Sequence, residues 1–210
     1  MMSQDFTKIL RPRAPIAIVR LDNLEEAVQL SRALLEGGIT EVEFTLTNQQ
    51  ALNVIEKVRG EFGESLVVGA GTVLDEGMAY AAIQAGAQFL VTPALLPDVI
   101  TAGVSRNIPV ACGAFTPTEI LKAWRSGADL VKVFPAGQLG PTYIKDVLAP
   151  LPTTRLVPTG GVDLENCAAF LTAGAYTVAV GSQLVSKDLV ENKDWDALRE
   201  RACRYVEACA

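Results

Sequence analysis

The chain alternates between two hydrophobic rhythms. Stretches such as LEEAVQLSRALL (24–35), QQALNVIEKV (49–58) and TEILKAW (118–124) repeat their apolar residues at helical spacing. Each such stretch ends at a glycine or an asparagine, and a short β-rich run follows. Gly38 precedes TEVEFTL, Gly63 LVVGAG, Gly86 QFLVT, Asn107 IPVAC, Gly127 DLVKVF and Gly174 YTVAVG. Gly and Asn tolerate the left-handed conformation just past a helix, so each is predicted to stop a helix before a strand. PIAIVR (15–20) and RLVPT (155–159), the latter preceded by Pro152, complete a set of eight strands. Helix starts are predicted at Asp22-Asn23, Asn48, Thr116-Pro117 and Asp163. Eight evenly spaced βα units predict an α/β fold, a (β/α)₈ TIM barrel spanning 1–210 as one domain. An open flavodoxin-like sheet would leave about three strands unused. Segments 3–10 and 193–207 read as extra terminal helices.

Strands of a parallel sheet covered on both faces are normally continuous apolar runs, so polar residues within them are informative. In 41–46, Val42, Phe44 and Leu46 share one face while Glu41, Glu43 and Thr45 share the other. In 130–134, Val131 and Val133 face the helices, leaving Leu130, Lys132 and Phe134 inward. Lumen layers come from alternate strands, so Glu43 and Lys132 can approach across the barrel near its C-terminal mouth, where barrel enzymes place their chemistry. A purely structural buried ion pair is the competing reading, although such pairs often only break even energetically. Thr159-Gly160-Gly161 follows the seventh strand and Gly181-Ser182 the eighth, the usual phosphate-binding loops of this fold. Arg20 ends the first strand and Thr72 follows the third, a cation and a hydroxyl suited to a carboxylate.

Composition narrows the chemistry. There is no histidine, so imidazole bases, His-based triads and common zinc ligand sets are excluded. A net charge of -6 with a pI near 4.8 leaves no basic stripe, and no nucleic-acid partner is expected. No apolar run is long enough to span a bilayer, so no membrane partner is expected and the protein should be soluble. Four cysteines without C-x-x-C spacing read as reduced thiols of a cytoplasmic protein.

With AIVR (17–20), EGGITEVEFTLTN, VVGAGTVL, FLVTPALLP, VKVFPAG, LGPTYIK, VPTGGV and VAVGSQLV in register, the chain resembles the 2-keto-3-deoxy-6-phosphogluconate (KDPG) and 4-hydroxy-2-oxoglutarate aldolase family. The resemblance implies a class I, Schiff-base aldolase on a (β/α)₈ barrel, without cofactor or metal, generally homotrimeric. Its substrate would be a phosphorylated keto acid cleaved to pyruvate and glyceraldehyde 3-phosphate, with 4-hydroxy-2-oxoglutarate as a further substrate. Lys132 matches the imine-forming lysine and Glu43 the general acid/base. Thr72 matches a pyruvate-carboxylate ligand, and Phe134 and Pro93 line the pocket. Thr159 is similar to a residue that influences stereochemistry, and Gly160, Gly161 and Ser182 to phosphate donors. Where many members read EVTLRT, this chain reads EFTLTN, so Thr47 replaces an arginine that holds the carboxylate. Arg20 is the candidate to take over that task. The related 6-phosphogalactonate aldolases share features with the chain and provide an alternative. A non-covalent phosphosugar isomerase or epimerase is another.

Overall fold

A computed structural model describes residues 7 and 9–210. Strands β1 (Ile16–Val19), β2 (Glu41–Thr45), β3 (Val67–Gly71), β4 (Leu90–Val91), β5 (Val110–Ala114), β6 (Leu130–Val133), β7 (Leu156–Pro158) and β8 (Ala179–Val180) alternate with helices. The first seven helices are α1 (Ala27–Glu36), α2 (Ala51–Phe62), α3 (Glu76–Gln84), α4 (Pro97–Ser105), α5 (Pro117–Arg125), α6 (Gly140–Leu148) and α7 (Cys167–Thr172). Two more, α8 (Lys187–Glu191) and α9 (Trp195–Cys209), follow β8. The strands pair in parallel in the order β7-β6-β5-β4-β3-β2-β1-β8. A parallel bridge between Thr159 and Ala179 joins the two ends and brings the sheet to closure. The eight-stranded barrel is thus the one the βα repeat predicts.

The turn chemistry explains much of the agreement. Gly38, Gly63, Gly86, Asn107, Gly127 and Gly174, the predicted helix stops, all adopt positive φ. Thr116 caps α5 through a capping box with Glu119. The other predicted starts are displaced. Asn23 and Asp163 accept hydrogen bonds from the amides of Glu25 and Glu165, forming Asx turns, so α1 and α7 begin only at Ala27 and Cys167. Asn48 likewise accepts from the Gln50 amide, and α2 begins at Ala51. The predicted 193–207 helix is α9. The predicted 3–10 helix falls largely on residues outside those described.

Two apolar layers result from strand alternation. Val42, Phe44, Val131 and Val133 pack against the helices, whereas Ile16, Ile18, Phe89, Val91, Leu130 and Val157 fill the lumen. At the N-terminal end, Leu10 joins the lumen cluster and Arg11 donates through Nε to Glu41 Oε1 at 2.9 Å. That end is plugged, leaving the C-terminal mouth for ligands. Among the described residues no helix is long and apolar enough to cross a membrane.

Candidate active site

Period-two alternation puts both glutamates of β2 inside the barrel, and their surroundings differ sharply. Glu41 is matched by Arg11 and by the Thr40 hydroxyl, which donates to Oε2 at 2.6 Å. Glu43, one inward position nearer the mouth, is only 1 % exposed, and its Oε1 has no hydrogen-bond partner among the described residues. Leaving a buried carboxylate oxygen unpaired costs stability, and an oxygen so placed can meet a ligand or hold a proton. The backbone of β3 makes room for it. A Cβ on Gly71 would lie 1.7 Å from Glu43 Oε1.

Lys132 on β6 is 3 % exposed, and its Nζ lies 5.3 Å from the centroid of the Phe134 ring. Among the described residues no ion pair within 4.0 Å joins it to Glu43, yet the two charges feel each other. Burial drives the Lys132 pKa below the ordinary ammonium range; Glu43 opposes that shift and Arg20 adds to it. Burial also raises the Glu43 pKa, against the pull of Lys132 and Arg20. A buried amine biased toward its neutral, nucleophilic form thus faces a carboxyl biased toward holding a proton. That pairing suits covalent catalysis with acid/base assistance.

Above this floor the mouth divides into two hollows. One, of about 720 Å³, is lined by Arg20, Thr47, Asn48, Thr72, Pro93 and Phe134, with neighbouring loop residues. The other, of about 190 Å³, is lined by Arg20, Phe134, Thr159, Gly160, Gly161 and Ser182 among others. Arg20 and Phe134 belong to both. Arg20, Thr72, Pro93, Phe134, Thr159, Gly160, Gly161 and Ser182 thus line the hollows, whereas Glu43 and Lys132 line neither and are buried, Lys132 lying beside the Phe134 ring that lines both. Thr72 holds φ +56°, a strained conformation for a β-branched residue. It is enforced by its neighbours: Gly71 O accepts from Leu46 N, and Val73 N donates to Val91 O. Such strain clusters at ligand sites.

The smaller hollow has the donors an anion requires. The carbonyls of Thr159 and Gly160 accept from the amides of Ala136 and Gly137, and Gly161 O accepts from Asn166 Nδ2 at 2.8 Å. The amides of Gly160 and Gly161 make no hydrogen bond among the described residues, and both glycines have φ +79°. Gly161 also packs so closely on Gly137 that a Cβ would come within 2.7 Å of its Cα. Unpaired amides at the rim of a hollow form an anion-binding concavity. In the sequence Asn166 does not stand out, because Asp163, three residues earlier, carries the stronger helix-start signal. Asn48 was visible only as a helix start, yet its Nδ2 donates to Leu21 O at 3.0 Å and Asp22 O at 2.9 Å, tying the β2 loop to the β1 loop.

The chain matches known proteins over most of its length. Residues 6–201 match the family model for KDPG and KHG aldolase. The 2-dehydro-3-deoxy-phosphogluconate aldolase of Treponema pallidum (strain Nichols) is 38 % identical over 195 residues, covering 91 % of this chain and 92 % of that protein. The 2-dehydro-3-deoxy-6-phosphogalactonate aldolase of Escherichia coli (strain K12) is 35 % identical over 170 residues, covering 80 % and 83 %. A solved structure of KDPG aldolase from Legionella pneumophila, with pyruvate captured as a covalent carbinolamine intermediate, superposes with a TM-score of 0.85 at 26 % identity, covering 97 % of this chain and 98 % of that one. On the match to its family model and these relatives, the chain belongs to the KDPG and KHG aldolase family.

Proposed function

We propose that this protein is a class I aldolase that cleaves 2-keto-3-deoxy-6-phosphogluconate to pyruvate and glyceraldehyde 3-phosphate through an imine on Lys132. The observation that carries this reading is the buried Lys132 amine, its pKa lowered, opposite the unpartnered Glu43 carboxyl. Neutral Lys132 attacks the C2 ketone to give a carbinolamine; the proton held by Glu43 passes to the departing hydroxyl, which leaves as water and gives a protonated imine and a Glu43 carboxylate. Glu43 takes the C4 hydroxyl proton, the C3–C4 bond breaks, and its electron pair flows into the imine to leave an enamine. The aldehyde departs, Glu43 returns the proton to the enamine carbon, and water hydrolyses the protonated imine to release pyruvate and neutral Lys132, the remaining proton going back to Glu43.

Arg20 and Thr72 bind the carboxylate in this reading, with Pro93 and Phe134 packing against the three-carbon fragment. Gly160, Gly161 and Ser182 take the phosphate and Thr159 bears on the configuration at C4. Thr47 carries no charge, so Arg20 is the cation lining the larger hollow. The same absence of a strand-2 cation, together with the likeness to a phosphogalactonate aldolase, favours the galactonate-derived epimer as the second substrate to test. The resemblance also carries the expectation of a homotrimer of the 22.3 kDa chain, which sedimentation would reveal.

Pyruvate plus borohydride is expected to label Lys132 irreversibly. Intact-mass analysis showing no adduct, or peptide mapping that puts it on another lysine, rejects the mechanism and leaves a non-covalent isomerase as the better account. Pyruvate release from the gluconate- and galactonate-derived phosphates, assayed side by side with lactate dehydrogenase, ranks the two epimers.

A further inference from the structure

Arg20 stands just beyond β1 and is exposed, and its side chain makes no hydrogen bond or ion pair among the described residues. With no side-chain partner to hold the guanidinium, what the structure fixes is the backbone that carries it. The parallel ladder with β2 stops at Val19–Phe44, and beyond that point the chain leaves the sheet. The carbonyls of the next residues, Leu21 and Asp22, are both taken by Asn48 Nδ2, at 3.0 and 2.9 Å. An amide nitrogen has two hydrogens, and Asn48 spends both on this one stretch.

The other end of Asn48 is equally committed. Its Oδ1 accepts from Gln50 N at 2.8 Å, its own amide donates to Thr45 O, and its carbonyl accepts from Ala51 N. Asn48 is thereby anchored to the end of β2 and the start of α2, which makes it a rigid bracket. Arg20, Leu21, Asp22 and Asn48 line the same hollow. From this geometry we infer that Asn48 is a positioning residue that acts through Arg20, holding the β1 loop so that the guanidinium is aimed at the substrate carboxylate. The inference rests on the reading of Arg20 as the carboxylate ligand.

A carboxylate contact is made in both the ground state and the transition state, so disturbing it raises KM more than it lowers kcat. The test is a double-mutant cycle of Asn48→Ala and Arg20→Ala, with KM and kcat measured on the phosphorylated keto acid. Asn48→Ala is expected to raise KM roughly tenfold, the scale of a charged hydrogen bond lost through misalignment, with kcat kept within about twofold. In the Arg20→Ala background the same substitution is expected to change nothing further. Asn48→Ser retains one short donor and should fall between the wild type and Asn48→Ala, which keeps the test open should Asn48→Ala fold poorly. An unchanged KM, additive effects in the cycle, or a fall in kcat without a rise in KM overturns the inference. If Arg20→Ala raises KM and the two effects add, only the positioning role fails. If Arg20→Ala itself leaves KM unchanged, the carboxylate assignment fails with it.

Discussion

Lys132 and Glu43 are each held away from their preferred charge, and each restrains the displacement of the other. The Glu43 carboxylate favours the Lys132 ammonium, opposing burial. Removing that negative charge with Glu43→Gln should therefore lower the Lys132 pKa further, so the acid limb of imine formation moves to lower pH. Reductive trapping of pyruvate with cyanoborohydride across a pH series measures this directly; a limb displaced toward higher pH would contradict the electrostatic account. The candidate floor was legible in the sequence, because a lysine and a glutamate at inward positions of otherwise apolar strands stand out against their neighbours. Its environment was not. Nothing in EVEFT distinguishes Glu41, matched by Arg11 from the barrel's far end, from Glu43, whose Oε1 is left unmatched. That difference comes from contacts about thirty residues apart, as the separation of Arg11 and Glu41 shows.

At the level of strands and helices, side-chain room is set by the neighbouring element. The β2–β3 pairing sets Thr45 against Gly71 and brings the Glu43 carboxyl over the bare Cα of Gly71. Gly71→Ala would force that carboxyl aside while altering no backbone hydrogen bond. The expected result is a folded protein, by circular dichroism, with kcat reduced by about 10²-fold or more, the cost of misplacing an acid/base group. Wild-type turnover would show that the close approach is unimportant. Strands and helix stops were readable from the chain because they depend on local preferences: β-rich runs, and glycine or asparagine at positive φ. Helix starts were less so. Asn23, Asn48 and Asp163 are good caps by type, but each bonds an amide two residues on and so builds a turn ahead of the helix. The same acceptor serves either purpose, and the path of the loop decides between them.

Taken as a whole, the barrel assigns different tasks to its two ends. The N-terminal end is closed by Leu10 and the Arg11–Glu41 pair, while the C-terminal end accepts the energetic burden of Lys132 and Glu43. A lysine with a lowered folded pKa binds fewer protons than in the unfolded chain, so its unfavourable contribution is full below the folded value and is relieved as pH rises through it. A glutamate with a raised folded pKa loses its protonated advantage as pH rises through the folded value. At neutral pH both therefore weigh against stability. Glu43→Gln combined with Lys132→Met should raise the thermal midpoint by about 2 to 10 °C while abolishing imine formation, as replacement of buried charges by neutral groups commonly does. Calorimetry that finds a lower midpoint would mean the two charges hold the lumen together.

Arg20 and Phe134 form a partition common to the two hollows, and a partition gives two vestibules to whatever is severed beneath it. With the carboxylate in the larger hollow and the phosphate in the smaller, as proposed, an aldol cleavage astride that partition would leave the aldehyde half in a compartment of its own. It can leave at once, while the half still tethered to the amine waits for water. On that reading, the rim lets the untethered product depart first.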